Sequence, residues 1–132
     1  MLVGGLALAD HAEPRATKDM DLWVRASPEN ARRLFAALRR FGAPLHGARE
    51  EEFGIPGLFL QLGVPPLRID LLTAIDGVAF DDAWPRRVEN SLDGARLAVL
   101  SRQDLIANKR AAGRPQDRVD VMVLESNAGK KR

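Results

Sequence analysis

The chain contains no cysteine and only two histidines, His11 and His46, among its 132 residues. Without cysteine, neither a disulfide bond nor a thiolate metal site can form, and two histidines disfavour a zinc site. A site of oxygen ligands for Mg²⁺ or Mn²⁺ remains open. The absence of cysteine also fits a reducing compartment, so we expect a cytoplasmic protein.

The chain also lacks a long hydrophobic segment. No apolar run approaches the roughly 20 residues that cross a bilayer, and the first three residues lack the basic region of a signal peptide. We therefore expect no membrane partner. A length of 132 residues predicts a single domain, which we place at residues 1–126, followed by a disordered basic tail at residues 127–132.

Two aspartates, Asp19 and Asp21, lie one residue apart at the start of a strand predicted at residues 20–25. Because strand side chains alternate, both point to one side, roughly 6–7 Å apart. Aspartate is depleted in strands and costly to bury unpaired, so the pair needs a compensating partner, for which a divalent cation is the simplest. Taken alone, the Asp-x-Asp spacing favours the plainer interpretation of two solvated aspartates.

Gly4 and Gly5 lie between a short strand predicted at residues 1–3 and a helix predicted at residues 6–12. Glycines at a strand-to-helix turn let the backbone approach a ligand closely, and the helix N-terminus presents N–H groups that can bind phosphate. A pair of glycines is weak evidence by itself, since most such pairs only form turns.

A third carboxylate, Asp70, lies within a strand predicted at residues 67–72. The apolar side chains at positions 67, 69 and 71 face one way, and Arg68 and Asp70 face the other. Asp70 therefore either forms an ion pair with Arg68 or a neighbour, or it belongs to a site.

Lys109 lies on the apolar stripe of a helix predicted at residues 101–112, in line with Leu105 and Ile106. A lysine on such a stripe either extends its ammonium group to solvent or finds an anion. In the next helix, Asp117 and Asp120 share one face. We predict that these two carboxylates pair with Lys109, Arg110 or Arg114.

Caps, turn residues and hydrophobic periodicity predict the other elements. They are a helix from Pro28 that ends at Gly42, a loop at residues 43–57, a strand at 58–62, a short helix at 78–84, a hairpin of strands 87–91 and 95–99, and a helix from Pro115 to about Ser126.

Taken in order, these motifs resemble the nucleotidyltransferase superfamily, which has the DNA polymerase beta-like fold. The most similar branch comprises small prokaryotic nucleotidyltransferases and includes the transferase half of abortive-infection toxin–antitoxin systems. The resemblance covers residues 3 to about 125. Its motifs are Gly4-Gly5, Arg15-x-Thr17-x-Asp19-x-Asp21, Asp70, Asn108-Lys109-Arg110 and Arg114-x-x-Asp117-x-x-Asp120.

The resemblance implies an α/β fold (α+β), with a mixed β-sheet flanked by helices and the strand of Asp19 and Asp21 beside that of Asp70. It also implies transfer of an NMP group from an NTP to an unknown acceptor (RNA, protein or small molecule) by a two-metal mechanism with Mg²⁺ or Mn²⁺. The implied catalytic and metal-binding residues are Asp19, Asp21 and Asp70, and the implied nucleotide-binding residues are Gly4, Gly5, Thr17 and Lys109.

Two other classes of function remain open: a metal-dependent nuclease, and a non-catalytic binding or regulatory module of a toxin–antitoxin pair. Relatives usually carry a helix before the first strand, whereas this chain starts almost on the glycine turn. We therefore expect exposed apolar surface beside the first strand, and a homodimer or a partner protein to cover it. The alternative is that the segment at residues 78–84 folds over this flank.

Overall fold

The computed structural model describes residues 1–11, 19–45, 47–64, 67–92 and 94–127. Within these ranges the chain forms a small α/β domain with one mixed sheet, which confirms the predicted fold class. The strands are β1 (Leu2–Val3), β2 (Asp19–Trp23), β3 (Phe59–Val64), β4 (Leu67–Leu72), β5 (Val88–Leu92) and β6 (Ala95–Val99). The helices are α1 (Gly4–His11), α2 (Pro28–Phe41), α3 (Phe80–Ala83), α4 (Arg102–Ala112) and α5 (Pro115–Ser126), with 3₁₀ turns at Glu50–Gly54 and Trp84–Arg86.

The strand order across the sheet is β3-β4-β2-β1-β6-β5. The pairs β2–β4 and β1–β6 are parallel, and the other neighbours are antiparallel. The strand that carries Asp19 and Asp21 therefore lies directly beside the strand that carries Asp70, as the resemblance implies.

Helix α2 begins and ends where its sequence signals predict. The Ser27 hydroxyl accepts a hydrogen bond from the Asn30 backbone N–H at 3.2 Å, and Pro28 occupies the first turn. Gly42 ends the helix in the left-handed conformation. The buried face of α2 packs with β3 and β4 in a core cluster whose fully or nearly buried members are Ala31, Phe35, Leu38, Phe53, Leu62 and Leu71.

The 3₁₀ turn at residues 50–54 lies in the segment that we predict as a loop. The Arg49 backbone N–H donates to Glu52 Oε1 at 2.7 Å, which holds the start of the turn. Phe53 is completely buried and packs against Phe35, with ring centroids 6.0 Å apart. A single buried residue among glutamates leaves no periodic pattern, so the sequence did not indicate this turn.

The other core cluster joins α1, α4 and α5 to β1, β2 and β6. Leu2 and Val3 are only 5% and 4% exposed, so the first strand does not present the apolar surface that we expected there. Instead, Phe80 packs edge-on against Trp23, with centroids 5.0 Å apart, which matches the alternative that the 78–84 segment covers this flank. Assembly with a second copy or a partner protein stays a prediction.

The described part of the chain contains no helix with the length and apolar character that a membrane crossing requires. The predicted basic tail, apart from Asn127, lies outside the described residues, as does His46.

The loop after β4 packs closely against α4 at Gly77. A Cβ atom at Gly77 would lie 2.6 Å from the Ala111 Cβ and 3.1 Å from the Ala107 carbonyl oxygen, and φ there is +78°. Gly57 also has a positive φ, +99°, but nothing lies within 4 Å of a Cβ atom there. An added side chain would therefore strain the backbone at both glycines, but it would crowd neighbouring atoms only at Gly77.

We predict that Gly77→Ala destabilises the fold by about 1–3 kcal/mol more than Gly57→Ala, because both changes strain the backbone but only the first crowds a packed helix. Urea unfolding of the two variants and the parent chain measures the difference. Equal losses would show that the loop can withdraw from α4 at no cost.

Candidate functional site

Asp21 and Asp70 face one another across two neighbouring parallel strands. Their Cα atoms are register partners in the β2–β4 pair, as are those of Leu22 and Leu71. Leu71 belongs to the core cluster beneath α2, so the aspartates, which alternate with the leucines, point away from α2. Both aspartates line one cleft with a volume of about 540 Å³, which is within the usual range for small-molecule sites.

The walls of the cleft come from several separate parts of the chain. Gly4 contributes the start of α1, Arg68 contributes β4, and Asp76 lies on the loop after that strand. Asn108 and Arg114 contribute α4 and the residue just before α5. The cleft therefore combines carboxylates with two arginines and an amide. The carboxylates can bind a cation, and the arginines can bind the anionic groups of a ligand.

Gly4 allows the carboxylate of Asp21 to approach the start of α1. Gly4 has φ +70°, and a Cβ atom there would lie 2.1 Å from Asp21 Oδ2, which is a severe overlap. Any other residue would strain the backbone at this φ and would displace the Asp21 carboxylate. The negative charge of Asp21 therefore lies at the N-terminal end of α1, where the helix dipole favours it.

Asp70 is 5% exposed, and its Oδ1 lies 3.4 Å from the Nε of Arg68. The structural role that the sequence left open, an ion pair with Arg68, is thus present. The contact lies outside hydrogen-bond geometry, and Asp70 Oδ1 is buried without a hydrogen-bond partner in the described part of the chain. A buried carboxylate oxygen in this state is a suitable ligand for a cation.

The remaining predicted residues at this end of β2 and α1 are only partly described. The Cα atoms of Asp19 and Arg68 are register partners in the β2–β4 pair. The side chain of Asp19 and all of Thr17 lie outside the part of the chain that the structure describes. Gly5 lies in the first turn of α1. Among the described side chains, no three histidine, aspartate or glutamate residues form a cluster suited to a metal ion.

Lys109 is buried between α4 and α5 rather than in the cleft. It is 5% exposed, and its Nζ donates a hydrogen bond to Asp120 Oδ2 at 2.9 Å and lies 3.7 Å from Asp117 Oδ1. Asn108, one position earlier on the helix, is the residue that reaches the cleft. Binding of phosphate by Lys109 stays a prediction, and it requires the ammonium group to bind a phosphate in addition to, or instead of, Asp120.

Asp117 links this buried pair to Arg114 at the cleft. Asp117 Oδ2 accepts hydrogen bonds from the Arg114 backbone N–H at 3.1 Å and from its Nε at 2.7 Å. The Asp120 Oδ1 accepts from Gln116 Nε2 at 2.9 Å. The predicted pairing is confirmed, since both aspartates lie beside Lys109 and Asp117 also pairs with Arg114, whereas Arg110 pairs with Glu125 on the surface.

The ionisation of Asp117 follows from this network. Burial by itself raises the pKa of the carboxyl group, but the hydrogen bonds and charge of Arg114, helped by the charge of Lys109, outweigh it and lower the pKa below the usual 3.8. The same interaction raises the pKa of Arg114. Arg114 is thereby fixed as a cation beside the cleft, although its side chain is 76% exposed.

Sequence analysis did not assign Asn108, Arg114 or Asp76 to the wall of the cleft. Asn108 and Ala112 are four residues apart and share one face of α4, whereas Leu105 and Lys109 share the face that is buried. The signal for a polar residue beside a ligand was therefore present at Asn108. That signal is weak, because an asparagine on a partly exposed helix face is usually only solvated.

No protein-family model matches this chain, and no curated protein matches its sequence. The resemblance to nucleotidyltransferases therefore depends on the sequence motifs alone.

We predict that Lys109→Met destabilises the protein by about 3–5 kcal/mol, because it removes a buried cation and leaves the Asp117 and Asp120 carboxylates without it. Arg110→Met is the matched control, since it breaks an exposed pair and should cost less than about 1 kcal/mol. Urea unfolding measures both. Adding Asp120→Asn to Lys109→Met should recover part of the loss, and a small effect of Lys109→Met would contradict the buried network.

The lowered pKa of Asp117 predicts a dependence of stability on acid. A carboxyl group whose pKa is lower in the folded state contributes stability above its unfolded pKa of 3.8, and the contribution disappears as the pH falls through the folded-state pKa. The parent chain should therefore lose stability from about pH 4 downward. Asp117→Asn should show a flatter pH profile of unfolding free energy, and an equally steep profile would contradict this assignment.

Proposed function

We propose that the protein is a nucleotidyltransferase of the DNA polymerase beta-like superfamily, which transfers an NMP group from an NTP to an acceptor in a metal-dependent reaction. The main supporting observation is that Asp21 and Asp70 lie in register on adjacent parallel strands and face one cleft beside Gly4. The order of the motifs along the chain supports the same function, since it matches the order in that superfamily.

The residues present fit a divalent cation. Asp21 and Asp70 offer carboxylate oxygens, which Mg²⁺ and Mn²⁺ prefer as ligands, and Asp70 Oδ1 is buried without a hydrogen-bond partner among the described residues. These two residues would hold the metal, together with Asp19 according to the motif. The chemistry that a bound cation supplies at such a site is neutralisation of charge on the transferring group and activation of the acceptor oxygen.

The residues of the chain have separate roles in this proposal. The first N–H groups of α1, from Gly4 and Gly5, bind phosphate oxygens. Arg114, held by Asp117 and extending to the rim, stabilises the negative charge of the leaving pyrophosphate. Asp70 accepts the proton of the acceptor hydroxyl as the new bond from oxygen to the α-phosphorus forms and the bond to pyrophosphate breaks.

In this proposal the first role of Lys109 is to position other residues of the site. Its buried pairs with Asp120 and Asp117 hold α4 against α5, which sets the place of Asn108 and Arg114 in the wall of the cleft. A direct contact between Lys109 and the triphosphate is the further role that the resemblance implies.

The test is incubation of the protein with each labelled NTP, Mg²⁺ or Mn²⁺, and total RNA or total protein as acceptor. We expect transfer of label, and we expect Asp21→Asn and Asp70→Asn each to reduce it by about 100-fold or more, since each removes a charge from the metal site. Asp82→Asn is the control, because Asp82 is an exposed aspartate outside the cleft and should leave transfer unchanged.

The same incubation also distinguishes the two alternative functions, a nuclease and a binding module. Cleavage of the RNA without transfer of label would indicate a metal-dependent nuclease. Neither product, together with a melting temperature that Mg²⁺, Mn²⁺ and NTP leave unchanged, would indicate a binding or regulatory module and would refute the transferase.

A further inference from the structure

A second pocket, with a volume of about 490 Å³, opens at the carboxyl end of β2, between the start of α2 and α3. It is separate from the Asp21–Asp70 cleft and shares no residue with it. Aromatic and basic side chains dominate its lining. The residues that matter are Trp23, Arg25, Asn30, Arg33, Phe80 and Trp84.

The aromatic rings of this pocket are stacked and covered by cations. Phe80 and Trp84 stack with centroids 5.7 Å apart and an angle of 15° between their planes. The guanidinium group of Arg25 lies 4.9 Å from the Phe80 centroid, and that of Arg87 lies 3.9 Å from the Trp84 centroid. Planar groups that alternate in this way form a surface on which another flat ring can stack.

The arginines of the pocket are not all neutralised. Arg25 is paired with Asp81. Arg87, which contacts Trp84 but does not line the pocket, is paired with Glu89 at 2.7 Å. Arg33, on the exposed face of α2, forms no ion pair or hydrogen bond with any described residue. Arg33 therefore places at the rim a positive charge that no described carboxylate neutralises, and this charge favours an anionic ligand. Met1 also lines the pocket, and burial lowers the pKa of its N-terminal amine to about 6.

The pocket wall also contains a polar group whose hydrogen bond is missing. Trp23 is 2% exposed, and its indole Nε1 has no hydrogen-bond partner in the described part of the chain. A buried indole N–H usually has an acceptor, and leaving it without one is unfavourable. Because this nitrogen is inaccessible from the pocket in the structure, an acceptor on a ligand reaches it only after the lining shifts.

We propose that this pocket binds a nucleotide unit, with the base against the Phe80–Trp84 stack and the phosphate at Arg33 and Arg25. A nucleotide combines the two properties that the pocket selects, a flat aromatic ring and a negative charge. The unit is either a free nucleotide or one residue of a single strand. This site does not depend on the proposed transferase activity.

Intrinsic fluorescence tests the proposal, because Trp23 and Trp84 are the only two tryptophans of the chain and both line the pocket. The protein is titrated in EDTA, which removes metal-dependent binding at the cleft, with nucleoside monophosphates, short single-stranded oligonucleotides, nucleosides and inorganic phosphate. We expect saturable quenching by the phosphate-bearing nucleotides. Tighter, salt-dependent binding of the oligonucleotides identifies a strand as the ligand, and equal affinity identifies a free nucleotide.

Matched variants assign the signal to the pocket. Arg33→Glu should weaken binding by about tenfold or more, equivalent to about 1.4 kcal/mol. Arg40→Glu changes another exposed arginine of α2, outside the pocket, and should alter affinity by less than about twofold. Asp21→Asn should leave it unchanged, because Asp21 lies in the other cleft.

Three results would overturn the proposal. The first is no saturable quenching by any nucleotide. The second is quenching by inorganic phosphate equal to that by nucleotides, which would mean an anion site that does not recognise a base. The third is a loss of affinity in Asp21→Asn or Arg40→Glu as large as in Arg33→Glu, which would place the binding elsewhere on the protein. None of these results would bear on label transfer at the cleft.

Discussion

The register of the parallel pair β2–β4 is the constraint on which the candidate site depends. It sets Asp21 opposite Asp70 and Leu22 opposite Leu71. A shift by one residue would exchange the faces, turning a carboxylate into the apolar core beneath α2 and a leucine into the cleft. Burial of an unpaired carboxylate costs several kcal/mol, so the apolar cluster around Phe35 and Phe53 fixes the same register that brings the carboxylates together.

A buried ionic cluster between α4 and α5 also helps to position a residue of the cleft. Lys109, Asp117 and Asp120 would each be unfavourable alone in the interior, but together they satisfy one another and join α4 to α5. The cluster is connected to the cleft by Arg114, whose backbone N–H and Nε both donate hydrogen bonds to Asp117. Arg114 is therefore held at the cleft by a network that lies mostly outside it, so this network affects both stability and the wall of the site.

Secondary structure was largely predictable, because the signals are local. Ser27, Pro28 and Gly42 define the ends of α2, and Ser101 and Gly113 do the same for α4 through their cap hydrogen bonds. The 3₁₀ turn around Phe53 was not predictable, since its only apolar residue acts through contacts with α2 that are distant in sequence. The expected exposure beside the first strand was wrong for a similar reason, because β1 lies inside the sheet between β2 and β6 and its side chains pack in the cluster with α1, α4 and α5.

The sequence by itself determined which residues alternate toward the site. The spacing of Asp19 and Asp21, the isolated Asp70 and the close approach that Gly4 permits all follow from strand period and backbone sterics. Only the tertiary structure decided what these residues meet: Arg68 beside Asp70, the α5 carboxylates around Lys109, and Asn108 at the cleft. The physical reason is that alternation is a local property of the backbone, whereas the partner of a charge is set by which elements pack together.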